Sequence, residues 1–220
     1  MLPARARHLR AVAALAAVAG LGLAACDTSG DASVATVSTP SSSAPAGTVP
    51  LDTPDAKPAL TLTDQNGHSY DLVKQTAGHP TLLYFGYTHC PDVCPTTMAD
   101  IALAARKLPT ADRRDLRVVF VSTDPTRDSP RRLKQWLGAI DPSFTGLTGN
   151  FATVQKAARS LGVGISAPVK HKDGTVTVSH GAEVLAFSPK DDKAHLLYTS
   201  GTSEQRYAAD LPKLVKGETP

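Results

Sequence analysis

Apolar residues follow two distinct spacings along this chain. Residues 81–87 (TLLYFGY) and 116–121 (LRVVFV) are nearly continuous apolar runs, the pattern of strands buried on both faces. Between them Met98, Ile101, Ala102, Ala105 and Leu108 recur at helical spacing. Ser129-Pro130 supplies a helix cap followed by proline at the first helical position, opening a helix that turns Leu133, Trp136, Leu137 and Ile140 inward. Asn150 caps another, with Val154, Ala157 and Leu161 inward and Gly162 as its stop. Strands at 60–63 and 69–73 flank Asn66-Gly67, a hairpin signal. Asp173-Gly174 is a second such signal, with strands expected at 175–178, 183–187 and 195–198. Ser203 starts a last helix, and Pro212 is placed to bend it. Strand–helix–strand order implies parallel pairing through crossovers, and the later hairpins imply antiparallel pairing. The expectation is an α/β domain over residues 57–216, a mixed central sheet with helices on both faces in thioredoxin-like order, followed by a short tail at 217–220.

The chain ahead of that domain has a different character. Arg5, Arg7 and Arg10 precede an apolar run over residues 11–25, and the first 25 residues hold no Asp or Glu. This run falls short of the roughly 20 residues that span a bilayer and reads as a secretion signal. It ends Leu23-Ala24-Ala25-Cys26, which resembles the bacterial lipobox. That resemblance implies a signal peptide at 1–25 and a lipidated Cys26 outside any redox chemistry. Two acyl chains there anchor stably where one is marginal. Residues 26–56 read as a tether: 27–50 contain no aromatic, Lys or Arg and cannot bury enough apolar surface to fold. A flexible tether of that length reaches roughly 30 Å.

Composition narrows the function classes. The chain has 220 residues and a formal net charge of +3. The three leader arginines account for it, leaving the remainder formally neutral. Nucleic-acid-binding domains normally show a basic excess, so no nucleic-acid partner is expected. Three cysteines in 220 residues rule out a disulfide-rich scaffold.

The other two cysteines, Cys90 and Cys94, lie in Tyr87-Thr88-His89-Cys90-Pro91-Asp92-Val93-Cys94-Pro95, between the first buried strand and the first long helix. In open α/β sheets, ligands bind beyond the carboxyl ends of strands. A helix N-terminus there favours thiolate, so depressed cysteine pKa values are expected. Residues four apart on a regular helix have Cα atoms roughly 6.2 Å apart, within disulfide range and also able to converge on a metal. Spacing alone leaves redox pair and metal site open. Of the histidines, His68 and His171 adjoin hairpin turns, His79 precedes Pro80, and His195 starts a strand. His89 adjoins Cys90, but neighbouring side chains on a chain entering a helix diverge. His180 lies in Ser179-His180-Gly181, the bend between two late strands, which adjoins the cysteine loop in a thioredoxin-like sheet. Thioredoxins carry a cis-proline at that bend, and none stands here.

The run from Phe85 through Thr97 resembles the first signature of the Sco/SenC copper-chaperone family, and Val121-Ser122-Thr123-Asp124-Pro125-Thr126-Arg127-Asp128-Ser129-Pro130 resembles its second. The resemblance covers nearly all of 57–216. It implies that Cys90, Cys94 and His180 bind one copper ion, Cu(I) or Cu(II). It also implies delivery of that ion to the dinuclear copper centre of cytochrome c oxidase subunit II. The family usually has Asp-His-Ser/Thr where this chain has Ser179-His180-Gly181. Soft thiolates select Cu(I), and imidazole also suits copper. A closed zinc site usually has four ligands, and three good ones are found. Asp124 closes the second motif on the same sheet edge as Cys90 and is expected to hold His180 or the cysteine loop.

The implied protein is a metallochaperone rather than an enzyme, lipid-anchored on the outer face of a bacterial cytoplasmic membrane. It takes copper from an upstream donor and depends on a thiol reductant. The alternative is a thiol–disulfide oxidoreductase that reduces the subunit II cysteines. A peroxiredoxin-like or redox-sensing domain finds no Pro-x-x-x-Thr-x-x-Cys pattern to support it.

Overall fold

The computed structural model describes residues 47–220. In chain order its elements are β1 (Thr48–Ala56), β2 (Thr61–Asp64), β3 (Ser69–Asp71), α1 (Leu72–Thr76), β4 (Thr81–Gly86), α2 (Val93–Arg106), α3 (Thr110–Asp115) and β5 (Arg117–Ser122). They continue through α4 (Pro130–Ile140), β6 (Thr145–Thr148), α5 (Phe151–Arg159), β7 (Ser166–Lys170), β8 (Val176–Ser179), β9 (Val184–Phe187), β10 (Lys193–Tyr198) and α6 (Glu204–Leu214). Cys26 and the leader lie outside the described residues.

Eight strands form one mixed sheet in the order β1-β10-β9-β4-β5-β6-β2-β3. The central pairs β4–β5 and β5–β6 are parallel, and β9 runs antiparallel to both β4 and β10. The two apolar runs alternate sides within it. Leu82, Tyr84, Val118 and Phe120 join one core layer with residues of α2, α4 and α6. Leu83, Phe85, Val119 and Val121 join the other, which contains residues of α5. A strand covered on both faces has no polar face to show, so its sequence loses alternation. The architecture is the α/β, thioredoxin-like arrangement read from the sequence.

Local signals place several boundaries. The Ser129, Asn150 and Ser203 side chains accept from backbone N–H groups at Arg132, Thr153 and Arg206, capping α4, α5 and α6. Gly162 follows α5 with a φ of 71°, a left-handed conformation that costs glycine little. The helix α6 runs through Pro212 to Leu214.

Four features depart from the sequence reading. The tether expected to reach residue 56 gives way at Thr48 to β1, which pairs antiparallel with β10 through Thr48↔Tyr198 and Ala56↔Lys193. An edge strand is held by backbone ladder bonds and tolerates Pro50 and Pro54, so hydropathy does not reveal it. The strand expected over 69–73 ends at Asp71, whose carboxylate accepts from Lys74 N at 3.2 Å and turns the chain into α1. The elements α3 and β6 carry no readable period, since α3 buries no residue and β6 is only TGLT. Finally, β7 and β8 form a separate two-stranded sheet instead of joining the main one.

Candidate metal centre

The parallel strands β4 and β5 point their carboxyl ends to one edge of the sheet, and the chain leaving Gly86 turns there before α2 begins. Cys90 lies on that turn, its N–H donating to Tyr87 O at 3.2 Å. Cys94 is the second residue of α2. The pair is therefore not four apart on one regular helix. The Cys94 N–H, one of the unpaired donors of the helix start, donates to Cys90 Sγ at 3.4 Å. Both cysteines are free thiols and both are buried.

β8 returns the chain to this edge and delivers His180. Its Nε2 lies 3.7 Å from Cys90 Sγ and 3.8 Å from Cys94 Sγ. Its Nδ1 lies 2.7 Å from Gly181 O, so Nδ1–H donates to the carbonyl and the Nε2 lone pair faces the two sulfurs. The rings of Tyr87 and Tyr84 stand edge-on to the imidazole, with centroids 5.2 and 6.3 Å away. A side chain at 181 is sterically barred: a Cβ there would lie 2.2 Å from Val163 Cγ1. Where the family usually has Ser or Thr after the histidine, this chain has a glycine whose carbonyl orients the ring. Ser179 is exposed.

The ligand atoms of Cys90, Cys94 and His180 all lie within 4.8 Å of one another, and no other such group of three is found among the described residues. Donors about 2.0–2.3 Å from one shared ion sit roughly 3.5–4 Å apart, and both nitrogen–sulfur separations, 3.7 and 3.8 Å, fall in that range. Two sulfurs and one imidazole nitrogen form a soft donor set suited to Cu(I).

The electrostatics differ from expectation in one respect. Burial pushes the Cys94 thiol up to about 12, opposed by the Tyr84 hydroxyl, which donates to its sulfur at 3.4 Å. The depressed value expected from the helix start is therefore corrected for Cys94, where desolvation outweighs the helix terminus. Gly86 is part of that enclosure: a Cβ there would lie 2.8 Å from Cys94 Sγ and 2.7 Å from Tyr84 Cε1. Burial also raises the Tyr84 phenol far above its ordinary range.

Asp124 does not hold His180 or the cysteine loop. Its buried carboxylate pairs with Arg127 Nε. Asp128, wholly buried in the same motif, holds the loop instead. It accepts from Thr88 N at 3.0 Å, Thr88 Oγ1 at 2.6 Å and Ser122 Oγ at 2.7 Å. Arg132 braces Thr88 from the other side, through Thr88 Oγ1 at 2.9 Å and Thr88 O at 3.2 Å. This network ties α4 and β5 to the segment that carries Cys90. Sequence reasoning singled out Asp124, at the strand end, and did not consider Asp128. Both stand in the same motif and both are buried, and only the fold decides which carboxylate faces Thr88.

The other histidines stand apart from the sulfurs. His89 Nδ1 lies 3.5 Å from Asp128 Oδ1, His79 pairs with Asp115 and His195 with Asp191, and His68 and His171 are exposed.

A sequence model of the SCO1/SenC family matches residues 49–216. A Stutzerimonas stutzeri protein named for copper binding is 35% identical over 134 residues, covering 61% of this chain and 65% of its own. Mitochondrial SCO1 of Saccharomyces cerevisiae is 35% identical over 113 residues, covering 51% of this chain and 38% of its own. The chain thus spans less than two thirds of the length of these curated relatives. The copper-bound structure of ScoI from Bradyrhizobium japonicum superposes with a TM-score of 0.60 at 34% identity, covering 74% of this chain and 98% of that one.

Proposed function

The chain belongs to the SCO1/SenC family, and we propose that it is a copper metallochaperone binding one ion through Cys90, Cys94 and His180. The observation that carries this reading is the convergence of His180 Nε2 on both sulfurs, at 3.7 and 3.8 Å. The copper-bound B. japonicum relative supports it. Three soft ligands leave room for a partner's ligands to enter, so cargo passes by ligand exchange without a free ion. The recipient in this reading is the dinuclear copper centre of cytochrome c oxidase subunit II.

The reading extends to the domain plan. Residues 1–25 serve as a signal peptide, Cys26 carries lipid, and residues 27–47 form the tether, with a reach of about 25 Å. β1 starts at the metal end of the sheet, through the register Thr48↔Tyr198, Tyr198↔Val184 and Val184↔Tyr84. The recipient in this reading is membrane-embedded, on the outer face of the cytoplasmic membrane. Cys26→Ser is expected to abolish palmitate labelling and release the protein from the membrane fraction while leaving its fold unchanged. Equal labelling of the variant overturns the anchor.

The test of the copper site is calorimetry of Cu(I) binding to reduced and disulfide-locked protein in buffers of different ionisation enthalpy. The reduced form is expected to take one ion per chain, and the locked form, left with one imidazole, to bind far more weakly. The sign of the pH effect follows from Cys94, whose thiol is pushed up to about 12. It holds its proton at neutral pH and must release it on becoming a ligand. Affinity therefore rises with pH, by about tenfold per unit for each proton released. Tight one-to-one binding by the locked form removes the thiolates from the site.

The oxidoreductase alternative draws on the two free thiols sharing one site. It gives His180 no task, and its second thiol, Cys94, is fully enclosed.

A further inference from the structure

A cavity of about 690 Å³ lies away from the cysteines. It opens where the parallel strands begin: Arg117, the first residue of β5, pairs with Thr81, the first of β4. The cysteine loop follows the last residue of β4, about 17 Å along the strand. Nine arginines fall within the described residues, and four of them, Arg106, Arg113, Arg114 and Arg117, line this one cavity. No Asp or Glu lines it, while Thr110 and Ser143 add hydroxyl groups. In a chain that is formally neutral apart from its leader, this is a marked segregation of charge.

Among the described residues, three of the four guanidinium groups have no carboxylate partner, Arg113 being the exception. Arg117 donates to the carbonyls of Arg114 and Asp115 at 2.8 and 2.9 Å, and Arg106 to that of Ile140 at 2.9 Å. Carbonyls fix a fork in place but carry no net charge. Arg113 has one long contact, 3.8 Å, with Asp141, and the Arg114 side chain makes none.

We propose that this cavity binds an anion of the phosphate class bearing more than one negative charge. Planar guanidinium forks match phosphate oxygens bidentately, and the volume admits more than a single inorganic ion. Two sources share that chemistry, a soluble phosphate compound and a phospholipid headgroup. The site is independent of the copper reading.

The experiment is calorimetry of inorganic pyrophosphate binding to the full chain at low ionic strength, where charge pairing is least screened. The variants are Arg113→Gln with Arg114→Gln, on a helix that buries no residue, and Lys170→Gln with Lys172→Gln, an equal charge change on the exposed hairpin. The wild type is expected to show one saturable site. The arginine pair should weaken it by about tenfold or more, and the lysine pair by less than about twofold. Copper stoichiometry should stay unchanged in both. Phosphatidylglycerol vesicles, with the Cys26→Ser chain so that no lipid anchor retains it, then separate the sources. Retention that pyrophosphate reverses assigns a headgroup, and no retention assigns a soluble anion. Absence of saturable binding, or equal binding by wild type and the arginine variant, overturns the site. Equal weakening by both variants also overturns it, as general charge attraction.

Discussion

Replacing His180 by alanine is expected to weaken Cu(I) binding by more than about 100-fold, because losing an outer partner of a metal ligand already costs about 10- to 100-fold. The imidazole is the one nitrogen donor facing the two sulfurs, with Nε2 3.7 and 3.8 Å from them. No other histidine among the described residues joins the cluster. The fold should survive, since the ring is half-buried and its Nδ1 bonds the adjacent residue's carbonyl. Competition against a Cu(I) chelator gives the affinity, and thermal unfolding of the metal-free forms checks the fold. His89→Ala is the matched control, because His89 Nδ1 faces Asp128; its affinity should stay near wild type. Equal affinities for His180→Ala and wild type remove His180 from the site and favour the oxidoreductase.

The second large effect is expected at Asp128. Its buried carboxylate accepts from the Thr88 backbone, the Thr88 hydroxyl and the Ser122 hydroxyl. Alanine leaves those donors without an acceptor in a dry setting, at about 1–3 kcal/mol for each group that finds no new partner. Hydroxyls can rotate but the Thr88 N–H cannot, so the net loss expected is about 3–5 kcal/mol. Denaturant unfolding of the metal-free protein measures it through the midpoint at constant slope. Asp128→Asn keeps one acceptor and turns an amide toward a donor, and its loss should fall between alanine and wild type. Both changes free the segment carrying Cys90, so Cu(I) affinity should fall in the same order as stability. An unfolding free energy for Asp128→Ala within about 1 kcal/mol of wild type excludes this carboxylate as the anchor of the loop.

Much of the candidate site was legible because its signals are local. Cys90 and Cys94 stand between a strand and a helix that each announce themselves, one by an unbroken apolar run and the other by its spacing. His180 was found because a thioredoxin-like sheet brings that late bend beside the first strand–helix turn. Asp128 was missed because two carboxylates four residues apart in one motif look alike until β5 and α4 fix their directions. Cys94 was misjudged because the helix start is visible in the sequence, while the desolvation that pushes its thiol up to about 12 comes from distant neighbours. The sulfur is packed into the core layer that also holds Tyr84, Met98 and Phe120, and the bare Cα of Gly86 leaves it room there.

The sequence by itself determined the doubly covered strands, the capped helices and the place of the paired cysteines, since each depends on residues within a few positions. The tertiary structure decided what depends on distant partners. β1 exists because β10 offers it a ladder, despite a composition that reads as tether. His180 meets sulfurs some 90 positions earlier because β8 returns it to the sheet edge, where Gly181 supplies both clearance from Val163 and the carbonyl that turns the ring. Four arginines from two helices and a strand face one cavity because those elements end together at the opposite edge. Charge, clearance and desolvation are sums over neighbours in space, and a linear pattern carries only the neighbours in sequence.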